Sequence, residues 1–413
     1  MKDREFRKLK AGTARAALAM VSVLGLAFAA AVSVCAQEAP ATSSPPGQVV
    51  TAYLDYQDAG YSYMNLNLPV VLKSSAFKKE PAFSQGKVVR GALRMGGSSS
   101  NEVAFAWDRT ARKLYVDLNR NVDLTDDPDG VFISVGASAD SFQIFNGVRL
   151  PLKTETGSRQ MLVDLSFYDY GSSPNCTAAL RSFWHGKVAL RGEEWQVGLL
   201  TTPTDQRVPF EGDSLLLRPW AQRNKPFSLH SGTMEAFPFS RNVFFGNQAY
   251  QLQCTNEVQG DSVKVRMQFT EQAPKLGELK ITGEFVERVT LERGPYLVLI
   301  DKPGATVKVP VGSYTQTKVC LKKGEAEACL DVNSAAAAGR ITVSENNLAL
   351  LNAGGPLTNS VSVIRRGKNL TMGYRLAGVG GVYQLVNQDR SHPPEFTIYQ
   401  GDKKVASGKF EFG

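Results

Sequence analysis

The sequence predicts an all-β protein of several domains, built from antiparallel strands. Short runs that alternate apolar and polar residues recur along the chain, as at 102–107, 113–117, 262–269 and 395–399. This period of two is typical of strands that bury one face. Gly, Asn, Asp and Pro separate the runs at short intervals, and no apolar stripe of helical period extends over three turns. The run at 296–300 is apolar throughout and predicts a strand buried on both faces.

The chain begins with the pattern of a secretory signal peptide. Six basic and two acidic residues lie in the first 15 positions, and an uncharged apolar run follows from Ala16 to Val34. The small residues around Cys35 suit a cleavage site. We therefore expect residues 1–36 to be a signal peptide and the mature protein to be secreted or periplasmic. Residues 37–48, rich in Pro, Ser, Thr and Ala, predict a flexible linker.

Two alternatives remain for this first segment. Its apolar run is nearly long enough to span a bilayer, which would make it an uncleaved N-terminal anchor. In the second alternative, Cys35 is the lipid-modified residue of a lipoprotein, although Val34 occupies the position where that signal prefers Gly, Ala or Ser. All three interpretations place the rest of the chain outside the cytoplasm. No later apolar stretch is long enough to span a bilayer, so we expect no membrane insertion beyond the leader.

Changes in strand spacing predict three β-rich segments after the linker. Residues 49–170 are expected to form a β domain with an acidic loop, and residues 171–272 a β-rich, repeat-like domain. The repeat-like character rests on Gly-containing turns followed by a strand with an aromatic residue, near Trp107 and again near Trp195. Residues 273–413 predict a C-terminal β-sandwich of immunoglobulin-like or transthyretin-like type. Such a fold does not by itself assign a function.

The charge of the chain excludes one class of partner. The 47 basic and 39 acidic residues give a net charge of +8, half of which lies in the leader. No block of Lys and Arg interleaved with aromatic residues occurs, so a nucleic-acid partner is not expected.

Four cysteines follow the leader, and their even number in an exported chain predicts two disulfides. Cys320 and Cys329 flank a polar, Gly-containing stretch between two apolar runs, which predicts a hairpin closed by a cross-strand bond. Cys176 would then pair with Cys254 by elimination. Free buried thiols are the alternative.

An acidic stretch at 117–129 is the strongest local signal in the sequence. It contains five carboxylates and one basic residue. Oxygen-bearing side chains at alternate positions are what a loop needs to wrap a hard cation such as Ca²⁺. The candidate ligands are Asp117, Asn119, Asn121, Asp123 and Asp127.

The first half of this loop resembles the calcium-binding loop of EF-hand proteins. Asp117, Asn119 and Asn121 match the first, third and fifth positions of that pattern. Val122 stands where the family has Gly, and Pro128 where it has the bidentate Glu. The resemblance implies Ca²⁺ as the one candidate cofactor. The alternative is a solvated hairpin turn that uses Asp and Asn for their turn chemistry.

Two short motifs resemble those of the GDSL (SGNH) esterases and lipases. Residues 212–215 read Gly-Asp-Ser-Leu, the nucleophile motif of that family, and residues 389–392 give its D-x-x-H element. The resemblance implies that Ser214 attacks an acyl carbon, that His392 accepts its proton and that Asp389 orients the imidazole. The alternative is a turn followed by an apolar strand.

The remaining residues with functional chemistry form no motif. The histidines lack metal-ligand spacing, and the tryptophans suit core positions better than a sugar-binding platform. These residues are His185, His230 and His392, and Trp107, Trp184, Trp195 and Trp220.

Because the esterase family alternates strands with helices, and helical pattern is almost absent here, the sequence favours a protein without catalytic activity. We expect an exported, non-catalytic binding or scaffold protein of the cell envelope or extracellular space, with calcium as its candidate stabiliser. Its partner would be a protein or carbohydrate ligand that the sequence does not identify. The alternative is a secreted GDSL-type serine esterase.

Overall fold

The computed structural model describes residues 47–72, 77–95, 101–136, 139–154, 157–171, 173–200, 213–227, 235–259, 262–294, 296–330, 340–367, 369–386 and 393–411. The predicted signal peptide and most of the predicted linker lie outside these residues.

The described residues form 31 β-strands and no α-helix, which confirms the all-β prediction. Their two 3₁₀ turns are Pro128–Gly130 and Trp220–Gln222. None of the helical segments in the described residues has the length and apolar character needed to cross a membrane.

The first strands are β1 Val49–Asp58, β2 Met64–Leu68, β3 Val70–Leu72, β4 Val88–Arg94, β5 Glu102–Asp108, β6 Lys113–Val116, β7 Val131–Ile133, β8 Phe142–Thr154, β9 Gly157–Tyr168, β10 Asn175–Leu180, β11 Ser182–Leu190, β12 Glu193–Leu200, β13 Ser214–Pro219, β14 Ala236–Pro238 and β15 Asn242–Phe245. The later strands are β16 Gln248–Gln259, β17 Ser262–Gln272, β18 Leu276–Ile281, β19 Val286–Arg293, β20 Tyr296–Asp301, β21 Thr306–Pro310, β22 Gly312–Tyr314, β23 Gln316–Lys323, β24 Ala326–Leu330, β25 Ile341–Val343, β26 Ala349–Leu351, β27 Gly354–Arg366, β28 Asn369–Val379, β29 Gly381–Leu385, β30 Glu395–Gln400 and β31 Lys403–Lys409.

One long sheet of 15 strands runs in the order β14-β13-β12-β11-β1-β17-β16-β15-β20-β19-β23-β24-β29-β28-β27. Its neighbours pair antiparallel except for β15 and β20, which are parallel. The first strand, β1, lies inside this sheet: Asp55 is opposite His185 of β11, and Ala52 is opposite Met267 of β17.

The first hydrophobic core lies between two smaller sheets, β3-β4-β5-β6-β7 and β2-β10-β9-β8. Alternate residues of β5 point into it, and Phe105 and Trp107 are fully buried there. Both rings contact Phe167 of β9, with centroid distances of 5.0 Å and 5.3 Å. The indole N–H of Trp107 donates to the side-chain oxygen of Gln143 at 2.8 Å, so the buried polar group is satisfied.

Strand β20 separates a second core from a third. Leu297 and Leu299 pack in the second core with residues of β1 and β11–β17. Val298 and Ile300 pack in the third core. The prediction that this apolar run is buried on both faces is therefore confirmed.

The third core lies between two layers of strands. Leu291 and Val319 of the long sheet contribute from one side. Leu279 of β18 and Val343 of β25, in two small sheets, contribute from the other. Two layers of strands that enclose one apolar core form a sandwich, as predicted for this part of the chain.

The long sheet joins strands from all three predicted segments. It contains β1 from 49–170, β11–β17 from 171–272, and β19 and later strands from 273–413. The boundaries between the segments remain predictions.

Candidate functional site

The acidic loop lies between β6 and β7, on the sheet that contributes to the first core. The N–H of Asp117 donates to the carbonyl of Ala104 on β5, which fixes the start of the loop against the sheet. The middle of the loop is held by the segment before β4. The N–H of Lys78 donates to the carbonyl of Val122 at 2.8 Å, and the N–H of Leu124 donates to the carbonyl of Lys79 at 3.1 Å.

The carboxylate of Asp117 organises the turn. It is buried, and its two oxygens accept the N–H groups of Asn121 at 3.1 Å and of Val122 at 3.0 Å. The pKa of Asp117 is raised overall. Burial is the main cause and the nearby charge of Asp126 adds to it, whereas these backbone hydrogen bonds oppose the rise. Asp117 therefore lies in an environment in which a cation would stabilise its charged form.

Val122 has a left-handed backbone conformation, with φ of 69°. A β-branched residue rarely adopts positive φ, because its Cβ approaches the backbone too closely, at a cost of about 1–2 kcal/mol. In the EF-hand pattern Gly makes the sharp turn at this position. This loop therefore has Val where the EF-hand pattern has Gly, but its backbone makes the same kind of turn.

Asp126 gathers the two asparagines of the loop. Its carboxylate accepts the side-chain N–H groups of Asn119 at 3.1 Å and of Asn121 at 2.6 Å. Asp127 is buried nearby and accepts the N–H of Leu118 at 3.1 Å. Its pKa is raised first by burial and then by the charge of Asp117, with a smaller contribution from Asp126.

The structure thus brings together four of the five predicted ligands, Asp117, Asn119, Asn121 and Asp127, and adds Asp126. The sequence signal was the crowding of carboxylates, which does not show which of them face one another.

Asp123, the fifth predicted ligand, is engaged elsewhere. It accepts hydrogen bonds from the N–H and hydroxyl of Thr125 and lies 3.1 Å from the ammonium of Lys79. These interactions, the Thr125 hydroxyl first, lower the pKa of Asp123 to about 2. The side chain of Asp123 therefore anchors the loop to the segment before β4.

Within the described residues, no group of three or more His, Cys, Asp or Glu side chains has an arrangement that could hold a metal ion. A cation in the loop would therefore also need oxygens from the two asparagine amides or the backbone.

Of the three esterase residues, the structure describes only Ser214. Ser214 is the first residue of β13, where it is opposite Leu200 of β12 and Pro238 of β14. A buried strand of three leucines follows it, as the alternative to the nucleophile motif predicted. Asp389 and His392 lie outside the described residues.

Cys320 and Cys329 are directly opposite each other on β23 and β24 and form a disulfide, which confirms the predicted hairpin. The second predicted pair requires a correction, because Cys176 and Cys254 are free thiols. Cys176 lies on β10 in the first core, whereas Cys254 lies on β16 beside the second core. Burial raises the pKa of both thiols, that of Cys254 to about 12.

Three of the four tryptophans are core residues, Trp107, Trp184 and Trp195. Trp220 is half-buried, and the cations of Lys187 and Arg223 lie 5.3 Å and 5.0 Å from its ring centroid. His185 packs beside Phe183, and its pKa is lowered mainly by burial. His230 and His392 lie outside the described residues.

A concave site that the sequence did not predict opens beside the disulfide. It is a cleft of about 460 Å³, within the size range of small-ligand sites. Its wall combines an aromatic ring with acidic and basic side chains, among them Trp195, Lys225, Glu235, Lys302 and Lys322, together with Cys320 and Cys329. No sequence signal could have found the cleft, because its residues come from strands far apart in the chain.

The fully buried Arg218 binds two residues of the cleft wall, Lys225 and Glu235. Its guanidinium donates to the side-chain oxygens of Gln196 at 2.8 Å, Glu235 at 3.1 Å and Tyr61 at 2.8 Å. It also donates to the carbonyls of Lys225 at 2.7 Å and Arg223 at 2.5 Å. This network ties β13 to β12 and to the segments on either side of residues 228–234.

Comparison with protein-family models, with curated proteins and with solved structures finds no match to this chain. The proposal below therefore rests on the residues of this chain alone.

Proposed function

We propose that this chain is an exported, non-catalytic binding or scaffold protein whose acidic loop holds a Ca²⁺ ion. One observation carries the proposal. The side chains of Asp117, Asn119, Asn121, Asp126 and Asp127 are gathered on a loop whose backbone makes, at Val122, the turn that EF-hand loops make with Gly. The leader pattern supports export, and the all-β fold is common among scaffold and binding modules.

The contacts within the loop suggest how a cation would enter it. The carboxylate of Asp126 accepts hydrogen bonds here from two amide N–H groups, those of Asn119 and Asn121. Ca²⁺ would take over this role and would also bring the carboxylates of Asp117 and Asp127 together without repulsion. Asp123 would hold the loop in place through Lys79, with its side chain outside the coordination sphere.

For the binding role we propose the cleft beside the disulfide as the ligand site. Trp195, although largely buried, contributes apolar surface to the wall of the cleft, and the neighbouring Lys and Glu side chains offer hydrogen-bond donors and acceptors. This combination suits a carbohydrate. Quenching of tryptophan fluorescence by soluble oligosaccharides, reduced in a Lys225→Ala and Lys322→Ala variant, would support it. The absence of any response across neutral and acidic oligosaccharides would contradict it.

Calorimetry of metal-free protein tests the calcium site. A ligand that binds only the native state stabilises it by RT ln(1 + [L]/Kd), or about 2.7 kcal/mol at a hundredfold excess over Kd. Calcium should therefore raise the melting temperature, and Asp117→Asn with Asp126→Asn should abolish the rise. Asp129→Asn is the matched control, since Asp129 is an exposed carboxylate of the same stretch.

An unchanged melting temperature at millimolar Ca²⁺ would mean that the loop is only a solvated turn. An equal rise in the double variant would place the cation elsewhere in the protein.

Export and lack of catalysis are tested separately. N-terminal sequencing of protein recovered from outside the cytoplasm should begin at or near Gln37, whereas an intact Met1 would contradict cleavage. A fluorophosphonate probe should leave the protein unlabelled. Labelling that is lost in Ser214→Ala would instead identify a serine hydrolase.

A further inference from the structure

The outer half of the β27–β28 hairpin is an amphipathic ribbon. Opposite positions in the hairpin share a face. The pairs Val361–Tyr374, Val363–Met372 and Arg365–Leu370 therefore lie on one face, and Ser360–Arg375, Ser362–Gly373, Ile364–Thr371 and Arg366–Asn369 lie on the other. The first face is apolar apart from Asn359 and Arg365, whereas the second is polar apart from Ile364. We call residues 358–377 the ribbon.

Only the inner end of the apolar face is covered. Leu357, just before the ribbon, and Leu376 pack against the third core, and the ring of Tyr374 contacts that of Phe410 at 5.5 Å. Farther out, Val361, Val363 and Leu370 are 46%, 58% and 51% exposed. Three neighbouring aliphatic side chains on one face form a contiguous exposed patch, the kind that marks an interaction surface.

The ribbon also lacks acidic residues. The 43 residues from Asn346 to Gln388 contain four basic side chains and no Asp or Glu. Arg365, Arg366 and Arg375 are exposed, and no ion pair joins them to a carboxylate of the described residues. A partner that matches this surface has to be anionic and also has to accept aliphatic side chains.

We propose that the ribbon lies on an anionic lipid surface. The aliphatic side chains of Val361, Val363 and Leu370 would enter the boundary between headgroups and acyl chains, and Arg365 on the same face would meet lipid phosphates. Arg366 and Arg375, on the opposite face of the same hairpin, would add their positive charge within a Debye length of that surface. Tyr374, next along the same face, suits the interfacial level at which aromatic residues collect. A second copy of the ribbon would cover the apolar face, but it would bring no carboxylate to the arginines. The proposal is independent of the acidic loop.

Flotation of the full chain with lipid vesicles tests this surface. The protein should float with vesicles that contain phosphatidylglycerol and should not float with pure phosphatidylcholine. Arg365→Gln with Arg366→Gln removes two basic groups, each contributing about 1 kcal/mol near such a surface. This change should weaken partitioning roughly thirtyfold. Val363→Ser with Leu370→Ser should weaken it about tenfold or more.

Ile133→Ser is the matched control, because Ile133 is 68% exposed on β7 in a different sheet. All changes are at exposed positions, and circular dichroism verifies that each variant is folded. Lack of flotation with anionic vesicles, or equal loss in the Ile133 variant, would overturn the proposal. So would a dimer in light scattering that the ribbon variants dissociate, since the occupant would then be a second copy.

Discussion

Removing the guanidinium of Arg218 should be among the most destabilising single changes in this protein. The side chain is fully buried and donates to five oxygens. Arg218→Met keeps much of the apolar stem but leaves the carboxylate of Glu235 without its cation, and the side-chain oxygen of the buried Gln196 without its donor. Loss of one partner from a buried ion pair costs about 3–5 kcal/mol, because the remaining charge stays desolvated.

The size of the effect can be separated into charge and packing. Glu235→Gln in the Arg218→Met background removes the uncompensated carboxylate, so the double variant should recover about 1–2 kcal/mol. An exposed ion pair provides the control. Lys187 and Glu194 lie 2.5 Å apart, with side chains 43% and 52% exposed. Glu194→Gln should change the free energy of unfolding by less than about 1 kcal/mol.

Urea denaturation, followed by tryptophan fluorescence, measures the free energy of unfolding of the wild type and the three variants. A constant dependence of that free energy on urea concentration would show that the two-state description holds for each. A cost below about 1 kcal/mol for Arg218→Met would refute the argument. It would mean that water or rearrangement of the segments on either side of residues 228–234 satisfies the same oxygens.

Three further predictions concern separate parts of the fold. Replacing both Cys320 and Cys329 with Ala should lower the free energy of unfolding by about 2–3 kcal/mol, because the short loop closed by the bond gains entropy in the unfolded state. Urea denaturation under oxidising conditions measures this loss, and an unchanged midpoint would contradict the prediction. Val122→Gly should stabilise the metal-free protein by about 1 kcal/mol, since Gly adopts positive φ without the steric cost; a lower melting temperature would show that the Val side chain contributes more by packing. Burial lowers the pKa of His185 below its ordinary value of 6.5, so the unfolded chain binds the proton first and stability should fall as pH drops from about 6.5 through the folded-state pKa. Unfolding free energies at several pH values should show a smaller fall in His185→Gln, and identical profiles would exclude this histidine as the cause.

The strands were predictable because burial on one or both faces leaves a local pattern. The run at 102–107 became β5, and the apolar run at 296–300 became β20, with one face in each of two cores. The hairpin at Cys320 and Cys329 was predictable for the same reason, because its two strands are adjacent in the sequence. These features depend on residues within one strand or on two adjacent strands.

What the sequence could not predict depends on contacts between distant segments. Cys176 and Cys254 were paired by elimination, but strand order places them beside different cores. The side chain of Asp123 pairs with Lys79, which comes from a separate segment. Asp126 instead accepts the hydrogen bonds of the two asparagine amides, and no spacing rule within the loop distinguishes these two carboxylates.

The position of β1 has a consequence for how the chain acquires its fold. Strand β1, which precedes the other strands of the described residues, becomes an inner strand of the long sheet, and its partners are β11 and β17. It cannot complete its hydrogen bonds until residue 185, and then residue 267, have been synthesised. Pairing over such sequence distances is slow, and an unpaired strand is open to association with other chains. For the export that we propose, this delay is useful, because a chain that folds late is still extended when it reaches the membrane it has to cross.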